Sequence, residues 1–140
     1  MGAWGYKSFE NDDAVDFLDD LSETRNTKSI IKVFDKTTHE PDYLEAPLCS
    51  EALAAAELVC LITEGEVEAL PSSVIDWYKS GLGLFKRSVK FSPADIKKAA
   101  YAVEKIINES ELKELWEESE DFGKWKKNNE DLVNRLLSYI

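Results

Sequence analysis

The stretch SEALAAAELVCLITEG, residues 50–65, constrains the fold more than any other part of the chain. Its apolar residues cover most of the circumference of a helix, and between Ala52 and Thr63 the one charged side chain is Glu57. A helix that is apolar nearly all round has to be surrounded by other elements. Ala52, Ala54, Ala55 and Ala56 present little bulk, so neighbouring helices can come close. Ser50 is placed as the cap and Gly65 as the stop, because a hydroxyl can accept first-turn N–H groups and glycine tolerates a left-handed exit. Cys49 and Cys60 lie eleven residues apart on this helix, which at 1.5 Å per residue separates their Cα atoms by about 16 Å. A disulfide requires less than about 7 Å. Both are read as buried free thiols, in keeping with a reducing compartment.

The surrounding pattern is helical almost throughout. Over residues 12–23, Ala14, Phe17, Leu18 and Leu21 recur at i, i+3, i+4, i+7 and define one apolar face, with Asn11 or Asp12 as N-cap. A second helix is predicted from about Thr27 to Lys36, followed by a loop over residues 37–47, which hold two prolines and no period. Residues 71–80 read as a short helix begun by Pro71 and ended at Gly81, and GLGLFKRSVKF as the one stretch with mild strand character. Ser92 followed by Pro93 opens a helix with Ile96, Ala99, Ala100, Val103, Ile106 and Ile107 on one stripe. Ser110 can cap a helix carrying Leu112, Leu115 and Trp116. The last helix places Trp125, Leu132, Val133, Leu136, Leu137 and Ile140 at the 3.6 period. No internal repeat or linker divides the 140 residues. The expected fold is all-α, a single compact domain of five to seven helices spanning residues 1–140, a length at which one core buries roughly 68–70% of the unfolded chain's surface.

No apolar run approaches the roughly 18 residues of a membrane span, and Met1 is not followed by a basic-then-apolar leader. A cytoplasmic address without membrane association is expected. The formal net charge is −11, unevenly distributed. Residues 1–23 hold seven acids against Lys7, residues 40–70 hold eight acids and no Lys or Arg, and residues 79–105 hold seven bases against two acids. Such a total opposes nucleic acid as a partner, since that affinity comes largely from neutralising phosphates. The islands KRSVK and KWKK are read as solvated faces, although KWKK interleaves a Trp as a nucleic-acid footprint would.

Catalytic chemistry is sparsely represented. His39 is the only histidine and sits among prolines, no Gly-x-Ser-x-Gly elbow occurs, and SGLGLFKRS lacks the Gly-Lys-Ser/Thr of a phosphate loop. No catalytic residue, metal or cofactor is assigned. NDDAVD begins like a calcium loop but puts Val15 and Asp16 where Asp and Gly belong. On a helix, Asp12, Asp16, Asp19, Asp20 and Glu23 instead spread over about 100° of arc opposite the apolar stripe, forming an acidic ridge. That ridge is read as a solvated face, a docking surface for a basic protein, or a two-acid magnesium site at Asp12 and Asp16. Glu57 carries no role if it lies on an exposed strip. If buried it requires a partner, for which the indole N–H of Trp4 and the N-terminal amine are the candidates. In that arrangement MGAWG is a plug inserted in the core.

MGAWG, with Phe9 followed by Asn11 and Asp12, resembles the opening of a family of small bacterial proteins that begin Met-Gly-Ala-Trp-Gly and continue Phe-(Asp/Glu)-Asn-Asp. The similarity extends through ALAAAE at residues 52–57 and SELKELWEES at residues 110–119 to Trp125. The resemblance implies a bacterial source and a shared fold, and the family is a domain of unknown function. Trp4, Asn11, Asp12, Glu57 and Trp116 match its pattern. The resemblance implies no function, and two functional expectations remain from the charge and the sparse catalytic inventory. One is an acidic protein-interaction module, in its sharpest form an immunity protein that neutralises a basic toxin; the other is a carboxylate- or metal-dependent enzyme.

Overall fold

The computed structural model describes residues 3–24, 28–65, 70–81 and 91–140. Seven helices are found among them, in one all-α domain: α1 (Asp12–Thr24), α2 (Lys28–Thr38), α3 (Ala46–Glu64), α4 (Ser72–Gly81), α5 (Pro93–Asn108), α6 (Glu111–Glu117) and α7 (Phe122–Leu137). Residues 82–90, where strand character is predicted, lie outside the described residues.

α3 is the central element, in contact with α1, α2, α5, α6 and α7. Contrary to the expectation from sequence, its 19 residues are long and apolar enough to cross a membrane by length and composition, but about two thirds of that stretch is buried inside the domain. Ala52, Ala54, Ala55, Ala56, Leu58 and Val59 are fully enclosed. The helix ends where expected, with Gly65 at φ 75° and its N–H donating to the Leu61 carbonyl at 2.7 Å. Its start differs from the expected Ser50. The N-cap is Glu45, Pro47 occupies the first turn, and Ser50 is buried within the helix. Proline suits that turn because its missing N–H would have no intrahelical partner. Glu45 supplies no side-chain cap, and the Glu111 carboxylate from α6 accepts the Ala46 N–H instead, at 2.8 Å. A helix end satisfied from a distant segment leaves no local signature.

α2 likewise runs two residues beyond the predicted Lys36. Thr37 is buried there with its hydroxyl bonded back to the Val33 carbonyl, and the Lys105 ammonium of α5 donates to the carbonyls of Thr37 and Glu40, each at 3.0 Å. A cation at a helix C-terminus meets both unsatisfied carbonyls and the negative end of the dipole. His39 lies just beyond, its Nδ1 2.8 Å from the Asp35 carbonyl. The loop histidine therefore closes a helix end.

α5 begins as predicted. Ser92 Oγ accepts the Asp95 N–H at 3.1 Å, and the Asp95 carboxylate accepts the Ser92 N–H at 3.3 Å, a reciprocal capping box preceding Pro93. Replacing Ser92 with alanine is expected to cost about 1 kcal/mol, lowering the melting midpoint by about 3 °C for a domain of this size. Thermal unfolding followed by circular dichroism checks this. Ser110 caps α6 by accepting the Lys113 N–H at 3.0 Å. α7 packs Trp125, Leu132, Val133 and Leu136 inward, but it stops at Leu137, and Leu137 and Ile140 are exposed. After Leu137 the chain turns, so the 3.6 period no longer governs Ile140.

The N-terminal segment also corrects an expectation. Trp4 is 61% exposed and does not plug the core. Its backbone N–H donates to the Glu10 carbonyl at 2.9 Å, and Ala3 pairs with Asn11 in an isolated antiparallel bridge. Backbone pairing thus fixes a tight loop whose inward side chains are Ser8 and Phe9, with Ala3 and Tyr6 resting on the core. Trp4 is left on the outer side.

Candidate functional site

Two features stand out once the helices are in place: the outer face of α1 and a cleft between α3 and α7. On α1 the capping residue is Asn11, whose Oδ1 accepts the Ala14 N–H at 2.8 Å. Ala14, Phe17, Leu18 and Leu21 are buried, while Asp12, Asp16, Asp19 and Asp20 are exposed. The Glu23 side chain lies outside the described residues. Asp12, Asp16 and Asp20 enter no ion pair with any described residue. Beside them on α3, burial raises the Glu51 carboxyl above its ordinary range; Lys36 opposes that, and the negative fields of Asp13 and Asp20 add to it. The acidic surface therefore continues from α1 onto α3. No group of three or more His, Cys, Asp or Glu side chains among the described residues is arranged to hold a metal ion.

The cleft measures about 640 Å³ and is bounded by the loop at residues 7–10, by Glu57, Leu61 and Glu64 of α3, by Leu70 and Pro71, and by Asn128 and Arg135 of α7. The spacing explains the geometry. Glu57, Leu61 and Glu64 fall at i, i+4, i+7 on α3, and Asn128 and Arg135 are seven apart on α7, so each set shares one helix face. Glu57 is 12% exposed and is held at both carboxylate oxygens. Arg135 Nη1 donates to Oε2 at 3.2 Å and Ser8 Oγ donates to Oε1 at 3.4 Å. Trp4 is not its partner, and the N-terminal amine lies outside the described residues. Burial raises the Glu57 carboxyl, and the Arg135 charge and the two hydrogen bonds pull the other way. At the upper end the Tyr139 hydroxyl donates to Glu64, and burial, then that bond, push the phenol upward.

Cys60 lies beside this group, and burial pushes its thiol up to about 12; burial likewise pushes Cys49 up to about 11. Both are free and buried, so thiolate is scarce at neutral pH and neither is an effective nucleophile.

The five residues of the resemblance pattern separate in space. Asn11 and Trp116 line a second hollow of about 210 Å³, where the N-terminal loop meets α3 and α6. Glu57 belongs to the larger cleft, Asp12 to the acidic face, and Trp4 to the exposed outer loop. Trp125, the aromatic residue within KWKK, is 1% exposed and stacks on Phe122 with ring centroids 6.0 Å apart. It cannot serve as a platform for nucleic-acid bases. Ser8, Asn128 and Arg135 are absent from the candidates drawn from sequence. Arg135 follows the ordinary polar face of an amphipathic helix, so the sequence carries no signal for it.

Fold and site together define a class: a small all-α domain with an acidic outer helix and a polar cleft anchored by the ion pair of half-exposed Arg135 with largely buried Glu57. Residues 2–128 match the family model of DUF4259, a domain of unknown function. The chain belongs to that family. No curated protein and no solved structure matches it.

Proposed function

We propose that the protein is an acidic interaction module that docks a basic protein partner through the outer face of α1. The observation that carries this reading is the set Asp12, Asp16 and Asp20, exposed and without a cationic partner among the described residues, on a helix anchored by its opposite side. Like charges held together on a rigid element raise the local potential, which accelerates encounter with a basic surface and disfavours acidic ones. Glu51 on α3 extends the same field. The sharpest form of the proposal is a bacterial, cytoplasmic immunity protein that neutralises a basic toxin, for which charge complementarity suffices and no catalytic group is needed. A carboxylate-dependent enzyme is the competing class, and no further observation favours it.

The test compares the parent with an Asp16→Asn, Asp19→Asn, Asp20→Asn variant as bait in a bacterial lysate. The expected result is a basic protein recovered by the parent, released as salt rises from about 50 to 200 mM, and recovered at least tenfold less by the variant. The two melting midpoints should agree, because surface substitutions outside caps change stability by less than about 0.5 kcal/mol. Equal recovery by both baits, or no basic protein with either, removes the α1 face as the functional surface.

A further inference from the structure

We propose that the cleft between α3 and α7 binds an organic monocarboxylate with an apolar body, seated between Arg135 and Asn128. This does not depend on the acidic-face reading, because the two features use different elements.

The inference starts from a mismatch between donors and acceptors. Each acid described around the cleft already accepts at least one hydrogen bond. Glu57 accepts from Arg135 and Ser8, Glu64 accepts from the Tyr139 hydroxyl, and Glu10 Oε1 accepts the Lys7 backbone N–H at 3.2 Å. The donors are not used up. Asn128 Nδ2 is buried and meets no acceptor among the described residues, although a buried amide donor left unpaired is destabilising. The guanidinium of Arg135 has five N–H hydrogens, and among the described residues only Nη1 is bonded to a protein acceptor. With its side chain 43% exposed, the rest of that planar fork is accessible. Lys7 stands exposed at the rim, in no ion pair with a described residue. What these donors lack is an acceptor placed within their reach.

Charge and shape narrow the class. Two cations, Lys7 and Arg135, face three acids, Glu10, Glu57 and Glu64. The described groups carry one negative charge in excess, so attraction for an anion is local to the Arg135 fork, and a monoanion is repelled by the surrounding acids less than a dianion is. A guanidinium fork matches a planar carboxylate. Leu61, Leu70 and Pro71 supply an apolar wall, and about 640 Å³ is within the usual range for small-molecule sites. Asn128 and Arg135 are seven residues apart on α7, about 10 Å along the helix. The ligand therefore places its carboxylate at Arg135 and a second oxygen, a carbonyl or hydroxyl, towards Asn128. Both a free acylated amino acid and the C-terminus of a peptide have that arrangement.

The test is a titration of the full chain, labelled with nitrogen-15, with N-acetyl-leucine, N-acetyl-leucinamide, acetyl-Ala-Ala-Leu with a free C-terminus, and inorganic phosphate. Saturable shifts of the Asn128 side-chain amide and the Arg135 Nε signal are expected with the two carboxylates, at least tenfold weaker with the amide, and absent with phosphate. Asn128→Asp, which keeps the shape and replaces the donor by an acceptor, should weaken carboxylate binding at least tenfold. Arg135→Lys keeps the charge beside Glu57 without the fork and should weaken it similarly. A stronger response to the tripeptide identifies a chain end as the source, and a stronger response to N-acetyl-leucine identifies a free acid. No saturable shift with either carboxylate up to about 50 mM, an equal response to acid and amide, or full binding by folded Asn128→Asp overturns the proposal.

Discussion

Trp125→Ala is expected to destabilise the domain by about 3–5 kcal/mol, the usual cost of deleting a large aromatic from a packed core. Trp125 is 1% exposed, stacks on Phe122, and belongs to the same core as Leu132 and Leu136. Removing the indole leaves a void that rigid helices cannot close. Trp4→Ala is the matched comparison, since Trp4 is 61% exposed and its loop is held by backbone hydrogen bonds that alanine retains. It should change stability by less than about 1 kcal/mol. Urea unfolding of both variants beside the parent decides the matter. A Trp4 variant as unstable as the Trp125 variant would mean that the N-terminal indole is packed inward after all.

Arg135→Met is expected to cost about 2 kcal/mol at pH 8. Breaking a fully buried pair typically costs about 3–5 kcal/mol, and the exposure of Arg135 reduces that through solvent screening. The deficit should depend on pH. Burial raises the Glu57 carboxyl in the folded protein above its unfolded value, which is about 4.3. The folded state then binds the proton more tightly, so the stability linked to Glu57 is fully present below the unfolded value and is lost as pH rises through the folded one. Without Arg135 the folded value rises further and the loss deepens. Denaturant midpoints between pH 4 and pH 8 should therefore show a small deficit for Arg135→Met at the acid end and a larger one at the alkaline end. Adding Glu57→Gln should flatten the difference. A deficit independent of pH would assign the Arg135 contribution to packing of its aliphatic stem.

Local signals in the sequence were sufficient for most helices. The Ala14, Phe17, Leu18, Leu21 stripe, the Ser92 and Ser110 caps and the Gly65 stop all depend on residues within a few positions of one another, and each appears in the structure. The errors share a different origin. α3 starts at Ala46 because a carboxylate 65 residues away accepts its N–H, and α2 closes on an ammonium 68 residues from Thr37. The acidic face of α1 was legible because one helix supplies the whole of it. The cleft was not, because its defining pair joins Glu57 to a residue 78 positions later. Trp4 shows the opposite limit: a large aromatic in a loop has no period to indicate which way it faces, and backbone pairing between Ala3 and Asn11 decides it.

The enclosure of α3 governs how the domain opens. Since α1, α2, α5, α6 and α7 all contact α3, none can peel away without wetting part of an apolar surface. Partial opening is therefore costly around that helix. α4 packs on α1 and can separate with less exposure. In native-state hydrogen exchange, the amides of Ala54 to Cys60 should exchange only through global unfolding and report its full free energy. Those of α4 should exchange earlier, through a local event that leaves the other helices assembled.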